Sequence, residues 1–321
     1  MPKKPIQKLI VSRLLQLPLI LLAVYTVTFV LAWQIPGNPL EHEGRMPPPE
    51  VVEAMNAQYN LDSPVKFYVD YLWNAFGFAW LNNEHSGPIF NLGPSLRHQN
   101  WTVNDILIAQ LPVSMAIGIC SILLALFLGL GAGIVSAVKP KTFFDMTASL
   151  IAVIGISVPP FVVGVLLLVI FSVWLRWLPS SGWGSLSHLV LPSVALSLPF
   201  AAYIAQLTRS GMLEQLKSDH IRTARAKGLP EYMVVLKHAL KNAFLPVLSY
   251  IGPATAAALT GSFVIEKVFA IPGIGAHFVE AVLGKDITVL MGVVLVYSTM
   301  LILFNLFVDV AYRFVDPRTV Y

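Results

Sequence analysis

The sequence predicts an all-α membrane protein with six transmembrane helices. Only 12% of its 321 residues are charged, about half of the ~25% that is typical of soluble proteins, and the mean hydropathy is +0.72. Six stretches of 22 to 33 residues contain no Asp, Glu, Lys or Arg. Each exceeds the roughly 18–20 apolar residues that cross the hydrocarbon core of a bilayer. These lengths exclude a soluble single-core protein, and they exclude a porin-like barrel with strands of about ten alternating residues.

The charge-free stretches define the predicted spans: Leu14–Leu40, Ile106–Val138, Met146–Leu175, Trp177–Thr208, Asn242–Ile265 and Ile287–Val308. Basic residues precede the first stretch, as they do in a signal peptide. The apolar run Leu14–Trp33 is longer than the roughly 7–15 residues of a signal core, and no small-x-small cleavage site follows it. We interpret this stretch as an uncleaved first helix.

The distribution of Lys and Arg predicts the orientation. With the N-terminus in the cytoplasm and six spans, 15 basic residues lie inside and 6 lie outside. Cytoplasmic loops carry the excess of Lys and Arg in membrane proteins. We therefore expect both termini inside. The chain then divides into a tail with the first helix (1–34), an extracytoplasmic helical insertion (35–104) and a five-helix core (105–321) with a cytoplasmic loop at 209–241.

Helix-weakening residues fall inside three of the predicted spans: Pro159 and Pro160, Pro192 and Pro199, and Pro246 and Pro253. A proline within the membrane frees a carbonyl group that needs a partner in the protein or in a water-filled cavity. Broken helices are common in transporters and favour a conduit. A kinked helix that only packs is an equal alternative. In the second span, Gly129, Gly131 and Gly133 follow no strand, so they predict close helix packing rather than a phosphate loop.

The external segment predicts two short helices. Three prolines followed by Glu50 favour a helix start, and that helix is expected to end near Tyr59. A second helix starts at Asp62-Ser63-Pro64 and ends at Gly77, with an aromatic and apolar side formed by Phe67, Tyr68, Tyr71, Leu72, Ala75 and Phe76. Two interpretations stay open. The pair either lies on the lipid, with Trp73 and Trp80 at headgroup depth, or forms a gate or a docking surface for an external soluble partner.

The cytoplasmic segment predicts a helix, a glycine turn and a second helix. Leu213, Leu216, Ile221 and Ala224 follow one helical side, while the basic residues of this segment point elsewhere. Gly228 supplies the left-handed position that ends a helix, and Pro230 with Glu231 starts the next one. The basic charge could serve topology or anionic lipid alone, but lipid contact does not require the helix–glycine–helix shape.

Several functional classes lack their motifs. The sequence contains no P-loop, no H-E-x-x-H and no G-x-S-x-G. Its single cysteine, Cys120, excludes an intramolecular disulfide and a cysteine cluster, and no two of the seven histidines are four residues apart. The spans lack buried ionisable groups of the kind that relay protons or ions. We expect no enzymatic activity, no cofactor, no metal site and no nucleic-acid partner, so the energy for any transport must come from another protein.

The segment His220–Glu231 (HIRTARAKGLPE), followed by Leu236–Leu248, resembles the cytoplasmic "EAA" loop of ABC-importer permeases of the peptide group. Further matches extend nearly end to end. They are IPGNP at Ile35–Pro39, PPEV at Pro48–Val51, YNLDSP at Tyr59–Pro64, LGPSLR at Leu92–Arg97, VIEKVFAIPGIG at Val264–Gly275, NLFVD ending at Asp309, and DPR at Asp316–Arg318. The long external segment is most like that of the oligopeptide permease B subunit.

This resemblance implies a multi-pass protein of the bacterial inner membrane that forms half of a translocation pathway. The implied partners are a second homologous permease subunit, two cytoplasmic ATP-binding subunits and an extracytoplasmic peptide-binding protein. It also implies that one segment sits in the groove of an ATPase: Arg222, Thr223, Ala224, Arg225, Ala226, Lys227, Gly228 and Leu229. Arg222 stands where the general motif has glutamate.

Structural or gating roles are expected for prolines in the spans and for residues of the matching motifs: Pro159, Pro160, Pro199, Glu266, Pro272, Gly273, Gly275 and Asp309. Two other classes stay open beside the oligopeptide permease. One is an ABC permease for dipeptides, nickel or another small solute, and the other is a membrane scaffold that transports nothing. An enzyme acting within the membrane is less favoured than either, because no nucleophile–base pair is apparent.

Overall fold

The computed structural model describes residues 6–40, 46–82, 87–98, 100–259 and 263–315. In these ranges the regular structure is helical, and an isolated antiparallel bridge joins Pro94 to Thr102. The helices are α1 Ile6–Gln34, α2 Pro49–Tyr59, α3 Pro64–Ala75, α4 Phe78–Leu81, α5 Val103–Val138, α6 Phe143–Ser157, α7 Pro160–Leu167, α8 Leu186–Gln215, α9 Asp219–Ala226, α10 Glu231–Met233, α11 Leu240–Ala243, α12 Leu245–Leu259, α13 Phe263–Val268, α14 Ile274–Leu283 and α15 Ile287–Val315. The prediction of an all-α protein is confirmed.

Four helices are long and apolar enough to cross a membrane: Ile10–Gln34, Val103–Val138, Leu186–Gln215 and Ile287–Ala311. Two further candidates are bent pairs. Phe143–Ser157 and Pro160–Trp174 meet at 106°, and Glu231–Ala243 and Leu245–Leu259 meet at 57°. Each pair includes a π-helical segment: Leu168–Trp174 lies in the second half of the first pair, and Val234–Ala239 lies in the first half of the second pair. The described residues thus contain four candidate spans, or up to six if each bent pair crosses the membrane as one.

The chain forms two compact units. The first unit comprises Met1–Leu14, Ser114–Pro272 and Met300–Tyr321, and the second comprises Leu15–Val113 and Gly273–Thr299. Three helices, α1, α5 and α15, contribute residues to both units. These two units do not correspond to the three segments predicted from the sequence, 1–34, 35–104 and 105–321. Those segments remain a prediction.

In the second unit, the segment between α1 and α5 forms the two predicted helices. Pro49 is the first residue of α2, which ends at the left-handed Asn60 (φ 54°). Pro64 begins α3, and Gly77 after it is also left-handed (φ 80°), as expected for the end of that helix. The boundaries predicted from proline, acidic residue and glycine positions are therefore confirmed.

The aromatic side of α3 packs against α1 within this unit. The rings of Phe67 and Tyr71 are 3% and 7% exposed. The Tyr71 ring stacks on Tyr25 at a centroid distance of 6.0 Å, and the Phe67 ring stacks on Phe29 at 6.1 Å. The Tyr25 hydroxyl donates a 2.6 Å hydrogen bond to the carbonyl oxygen of Tyr68. This side of α3 is consequently occupied by protein and does not lie on lipid.

In the first unit, glycines let α5 and α8 approach closely. A Cβ added at Gly129 would lie 2.7 Å from the carbonyl oxygen of Ala201, and one at Gly133 would lie 2.5 Å from the Cβ of Thr208. Both distances are shorter than van der Waals contact. Gly131, on another side of α5, has no neighbour within 4 Å of an added Cβ. The prediction that these glycines serve close helix packing is confirmed for Gly129 and Gly133.

Candidate functional site

The segment after α8 folds into a short helix whose two sides differ in burial. Ser218 precedes α9 in an extended conformation, and Asp219 lies in the first turn, where a carboxylate favours the positive end of the helix dipole. Ile221 and Ala224 are 0% and 6% exposed. They belong to an apolar cluster with Ala137, Met212, Val234, Val235, Ala239 and Ala243. One side of α9 thereby packs against α5, α8, the π-helical segment Val234–Ala239 and α11.

Gly228 ends α9 in the manner that its sequence predicts. It has φ +72°, the left-handed conformation that residues with a Cβ adopt at a cost. Its N–H donates to the carbonyl oxygen of Arg225 at 2.9 Å, and the N–H of Leu229 donates to that of Ala224 at 3.4 Å. These two bonds form a Schellman motif, which satisfies the last carbonyl groups of the helix. A Cβ at Gly228 would meet no atom within 4 Å, so conformation alone restricts this position.

The other side of α9 and its turn are open to solvent. Six of the eight residues predicted to couple to an ATPase are exposed: Arg222, Thr223, Arg225, Ala226, Lys227 and Gly228. The side chain of Ala224 is buried in the apolar cluster, and that of Leu229 is half-buried against it. The segment thus offers a continuous polar surface with three basic side chains, while Ala224 and Leu229 hold it in place.

An ion pair joins the helices on either side of the glycine turn. The guanidinium of Arg225 donates to both carboxylate oxygens of Glu231, with Nη2–Oε1 at 2.6 Å and Nε–Oε2 at 3.2 Å. The hydrogen bonds to the Glu231 carboxylate raise the pKa of Arg225. Pro230 is the N-cap residue of α10, so the second helix begins at Glu231, as predicted within one residue. The pair bridges the turn between α9 and α10.

Sequence reasoning missed a polar junction that joins α5, α6 and α8. The guanidinium of Arg209 donates to both carboxylate oxygens of Asp145, at 2.7 and 2.9 Å. Asp145 is 4% exposed and also accepts hydrogen bonds from the Ser136 hydroxyl and from the backbone N–H of Lys141. The sequence indicated only a basic residue for topology at Arg209. Nothing in the spacing of these residues identifies them as partners.

The predicted proline candidates have different local structures. Val158 is extended, Pro159 is the N-cap residue of α7, and Pro160 is its first residue, so the pair lies at the 106° bend. Pro199, like Pro192, lies inside the continuous helix α8. The sequence pattern did not distinguish these two cases.

The remaining candidates lie near the point in the chain where the first unit passes to the second, at Pro272-Gly273, and at a helix end. Glu266 on α13 is 1% exposed and accepts a 2.7 Å hydrogen bond from the Ser114 hydroxyl. The boundary falls between the exposed Pro272 and the buried Gly273, which is the N-cap residue of α14. Gly275 is buried within α14. Near the end of α15, Asp309 accepts from Arg13 of α1 at 2.8 Å.

Two family models match the chain. Residues 129–321 match the family described as binding-protein-dependent transport system inner membrane component, and residues 6–118 match the N-terminal model for such membrane components. Together the two matches cover most of the described helices. The family consists of transport components rather than enzymes and resides in the inner membrane.

Curated relatives match nearly end to end. The chain is 42% identical to the dipeptide transport system permease protein DppB of Bacillus subtilis over 299 residues, which is 93% of each chain. It is 41% identical to the oligopeptide transport system permease protein OppB of Salmonella typhimurium over 316 residues, or 98% of this chain and 99% of the relative. The OppB of Haemophilus influenzae is 37% identical over the same length.

A solved structure shares the fold. The inward-facing MetNI methionine ABC transporter superposes with a TM-score of 0.56 at 22% identity, over 66% of this chain and 96% of that chain. With the family matches and the identities of about 40%, the assignment is plain: this chain belongs to the family of binding-protein-dependent transport system inner membrane components.

Proposed function

We propose that the chain is a permease subunit of an ATP-driven oligopeptide importer and forms half of the translocation pathway with a second, homologous permease. The observation that carries this proposal is the exposed basic side of α9, held on a buried apolar side and ended by the left-handed Gly228. A membrane scaffold would have no need for a short helix fixed in this way. Two cytoplasmic ATP-binding subunits and an extracytoplasmic peptide-binding protein complete the proposed importer.

The coupling surface consists of Arg222–Leu229. Its exposed residues contact the ATPase, and Ala224 and Leu229 transmit the movement of α9 to the apolar cluster beneath it. That cluster contains residues of α5, α8, the π-helical segment and α11, and the Asp145–Arg209 pair ties α6 to α8 in the same unit. ATP-driven closure of the ATPases thus moves several helices together, which gives alternating access.

The proposed orientation places both termini in the cytoplasm with six spans. The Arg13–Asp309 ion pair supports it, because it brings the beginning of α1 and the end of α15 to the same side of the first unit. An even number of spans follows, and six results if each bent pair crosses once. Residues 35–104 are then extracytoplasmic, and the part of this helical cap not packed on α1 is the docking surface for the binding protein.

Gating is assigned to the interrupted segments. The bend at Pro159-Pro160 separates two apolar helices, and the boundary at Pro272-Gly273, followed by Gly275, separates the two units. The buried Glu266 positions α13 next to this boundary through Ser114 of α5. Pro199 weakens α8, and Asp309 holds α15 to α1. These residues are proposed to allow movement or to hold the elements that move.

Oligopeptides are preferred to dipeptides as substrate because the long segment between the first two spans resembles that of the oligopeptide permease B subunit. A weakly polar pathway passes the main-chain dipoles of a peptide without side-chain pockets, so selectivity resides in the binding protein. A permease for dipeptides, nickel or another small solute is the alternative.

Purification of the chain from native membranes, followed by mass spectrometry of what accompanies it, tests this function. We expect a second permease, two ATP-binding proteins and a secreted binding protein. Uptake of a labelled pentapeptide, measured in competition with dipeptides and with Ni²⁺, then identifies the substrate class. A chain that purifies without ATP-binding proteins contradicts the importer, and inhibition by Ni²⁺ but not by peptides contradicts the peptide assignment.

A further inference from the structure

Two histidines that are far apart in the sequence lie side by side in the second unit. His98 precedes α5 in a loop, and His277 lies in the first turns of α14. Their ring centroids are 5.2 Å apart, with an interplanar angle of 72°. Glu280, one turn after His277, places its Oε2 4.0 Å from the Nδ1 of His277. One ligand atom from each of these three residues lies within 4.8 Å of the other two.

The contact between Gln110 and the Nε2 of His277 indicates which ring nitrogen of His277 is available to bind a metal. The Nε2 of His277 lies 2.6 Å from the Nε2 of Gln110 on α5, while the Oε1 of Gln110 is buried without a hydrogen-bond partner among the described residues. Rotating the side-chain amide of Gln110 by about 180° exchanges its oxygen and its nitrogen. Oε1 then lies against His277 and accepts a hydrogen bond from the Nε2–H of His277. The ring then carries a lone pair on Nδ1, the nitrogen that faces Glu280.

This arrangement has the parts of a transition-metal site. Metal-bound histidines usually donate their other ring N–H to an acceptor that fixes the tautomer, and Oε1 of Gln110 is such an acceptor in the turned orientation of the amide. Two imidazoles and one carboxylate, with one position left for water, are a common ligand set for Zn²⁺. Ca²⁺ and Mg²⁺ prefer oxygen ligands alone. We propose that His98, His277 and Glu280 bind a Zn²⁺ ion that joins the loop before α5 to α14.

The ligand atoms are close enough for small side-chain rotations to complete the site. Tetrahedral Zn²⁺ at about 2.0–2.1 Å from each ligand places ligand atoms roughly 3.4 Å apart. The three ligand atoms lie within 4.8 Å of one another, and the side chain of Glu280 is 49% exposed, so it can rotate toward the two imidazoles. The backbone at His98 is already held, because its N–H donates to the Ser95 hydroxyl at 2.8 Å.

A buried carboxyl group near His277 favours a cation. Asp286 is 1% exposed and lies near enough to His277 to interact with it electrostatically. Its carboxylate accepts from the hydroxyl groups of Ser95 and Thr288 at 2.5 and 2.9 Å, so it is engaged in hydrogen bonds and acts through its charge rather than as a ligand. With the proposed orientation the site opens to the outside, although binding of the ion does not depend on that orientation.

Zinc binding by the full-length chain in lipid nanodiscs, carrying no polyhistidine tag, tests the proposal. After removal of metal with a chelator, Zn²⁺ is added and the bound zinc is counted by mass spectrometry. We expect one ion per chain, and we expect Glu280→Gln to weaken binding by at least about tenfold. The Co²⁺-loaded chain should show the visible bands of tetrahedral cobalt, and these should disappear in His277→Gln.

His188→Gln is the matched control, because His188 contacts Ser185 in the first unit. It should bind zinc as the unaltered chain does. If a histidine variant does not fold, Glu280→Gln still tests the proposal. The side chain of Glu280 is exposed, so we expect this substitution to leave the fold intact. Equal zinc content and affinity in the unaltered chain and in Glu280→Gln would overturn the proposal. These outcomes are independent of peptide uptake, so they separate this site from the proposed transport function.

Discussion

At Gly228 the backbone conformation decides which residues are tolerated. Since φ is +72° and an added Cβ meets no atom, Gly228→Val costs only the strain of the left-handed conformation, roughly 1–2 kcal/mol or more for a β-branched side chain. The Schellman bonds to Arg225 and Ala224 then weaken, and the turn leaves its position. We expect ATPase binding by the purified chain, and peptide uptake, to fall by about tenfold for each 1.4 kcal/mol of strain.

Gly228→Asn is the control for this prediction, because asparagine adopts the left-handed conformation more readily than other residues with a Cβ. It should retain most of the uptake. Peptide uptake by Gly228→Val at the unaltered rate, with normal amounts of protein in the membrane, contradicts a coupling role for this turn.

The Asp145–Arg209 ion pair is expected to stabilise the folded chain. Asp145→Asn removes the charge that Arg209 pairs with and leaves a partly buried guanidinium without its partner. We expect a clearly lower midpoint of thermal unfolding in detergent. Asp219→Asn should leave the midpoint unchanged, because the Asp219–Arg222 pair is 3.6 Å long and its side chains are 97% and 77% exposed. Equal midpoints for the two variants contradict a structural role for the Asp145–Arg209 pair.

The role of a single residue can be predicted from the sequence when that residue interacts with its neighbours along the chain. Gly228 could be predicted because helix termination involves neighbours within a few positions. The partners of Asp145 and of His98 lie in distant parts of the chain, and no spacing rule joins them. The histidines were judged by their separation along a helix, which excludes a site on one helix but not one assembled from a loop and a helix.

At the scale of helices, the approach of α5 to α8 depends on particular glycines. A Cβ at Gly133 comes within 2.5 Å of the Thr208 Cβ and 2.7 Å of the Ala205 carbonyl oxygen, whereas a Cβ at Gly131 meets nothing. Gly133→Ala should destabilise the chain by about 1–3 kcal/mol through overpacking. Gly131→Ala should be neutral or slightly stabilising, because alanine favours a helix. Thermal unfolding in detergent measures both, and an equal effect contradicts the close packing.

Proline alone did not predict where a helix breaks. Pro159-Pro160 removes two consecutive N–H donors and disfavours the helical conformation in Val158, so the chain bends there by 106°. Pro192 and Pro199 stand singly in α8, which stays continuous with buried neighbours such as Ser193 and Leu196 beside them. Packing of this kind is a tertiary property, which a sequence does not display.

For the whole molecule, composition correctly predicted an all-α membrane protein. It did not determine how many of the six predicted spans are single straight helices. The four straight spans coincide with four of the charge-free stretches, because apolar length is what a bilayer requires. The third stretch forms a bent pair and the fifth contains the second helix of another, and apolar length does not determine whether such a pair crosses the membrane. The division into two units was not expected, because α1, α5 and α15 each run through both.

Cross-linking from α9 in the assembled importer tests the central claim most directly. Ala226 is exposed and Ala224, two residues before it, is 6% exposed, so a cysteine-reactive cross-linker distinguishes the two sides of one helix. In a chain whose Cys120 is replaced by serine, we expect Ala226→Cys to form an adduct with the ATP-binding subunit and Ala224→Cys to form none. An Ala226→Cys variant that reacts only with reagents added from outside the cell, or that forms no adduct with the ATPase, contradicts the account.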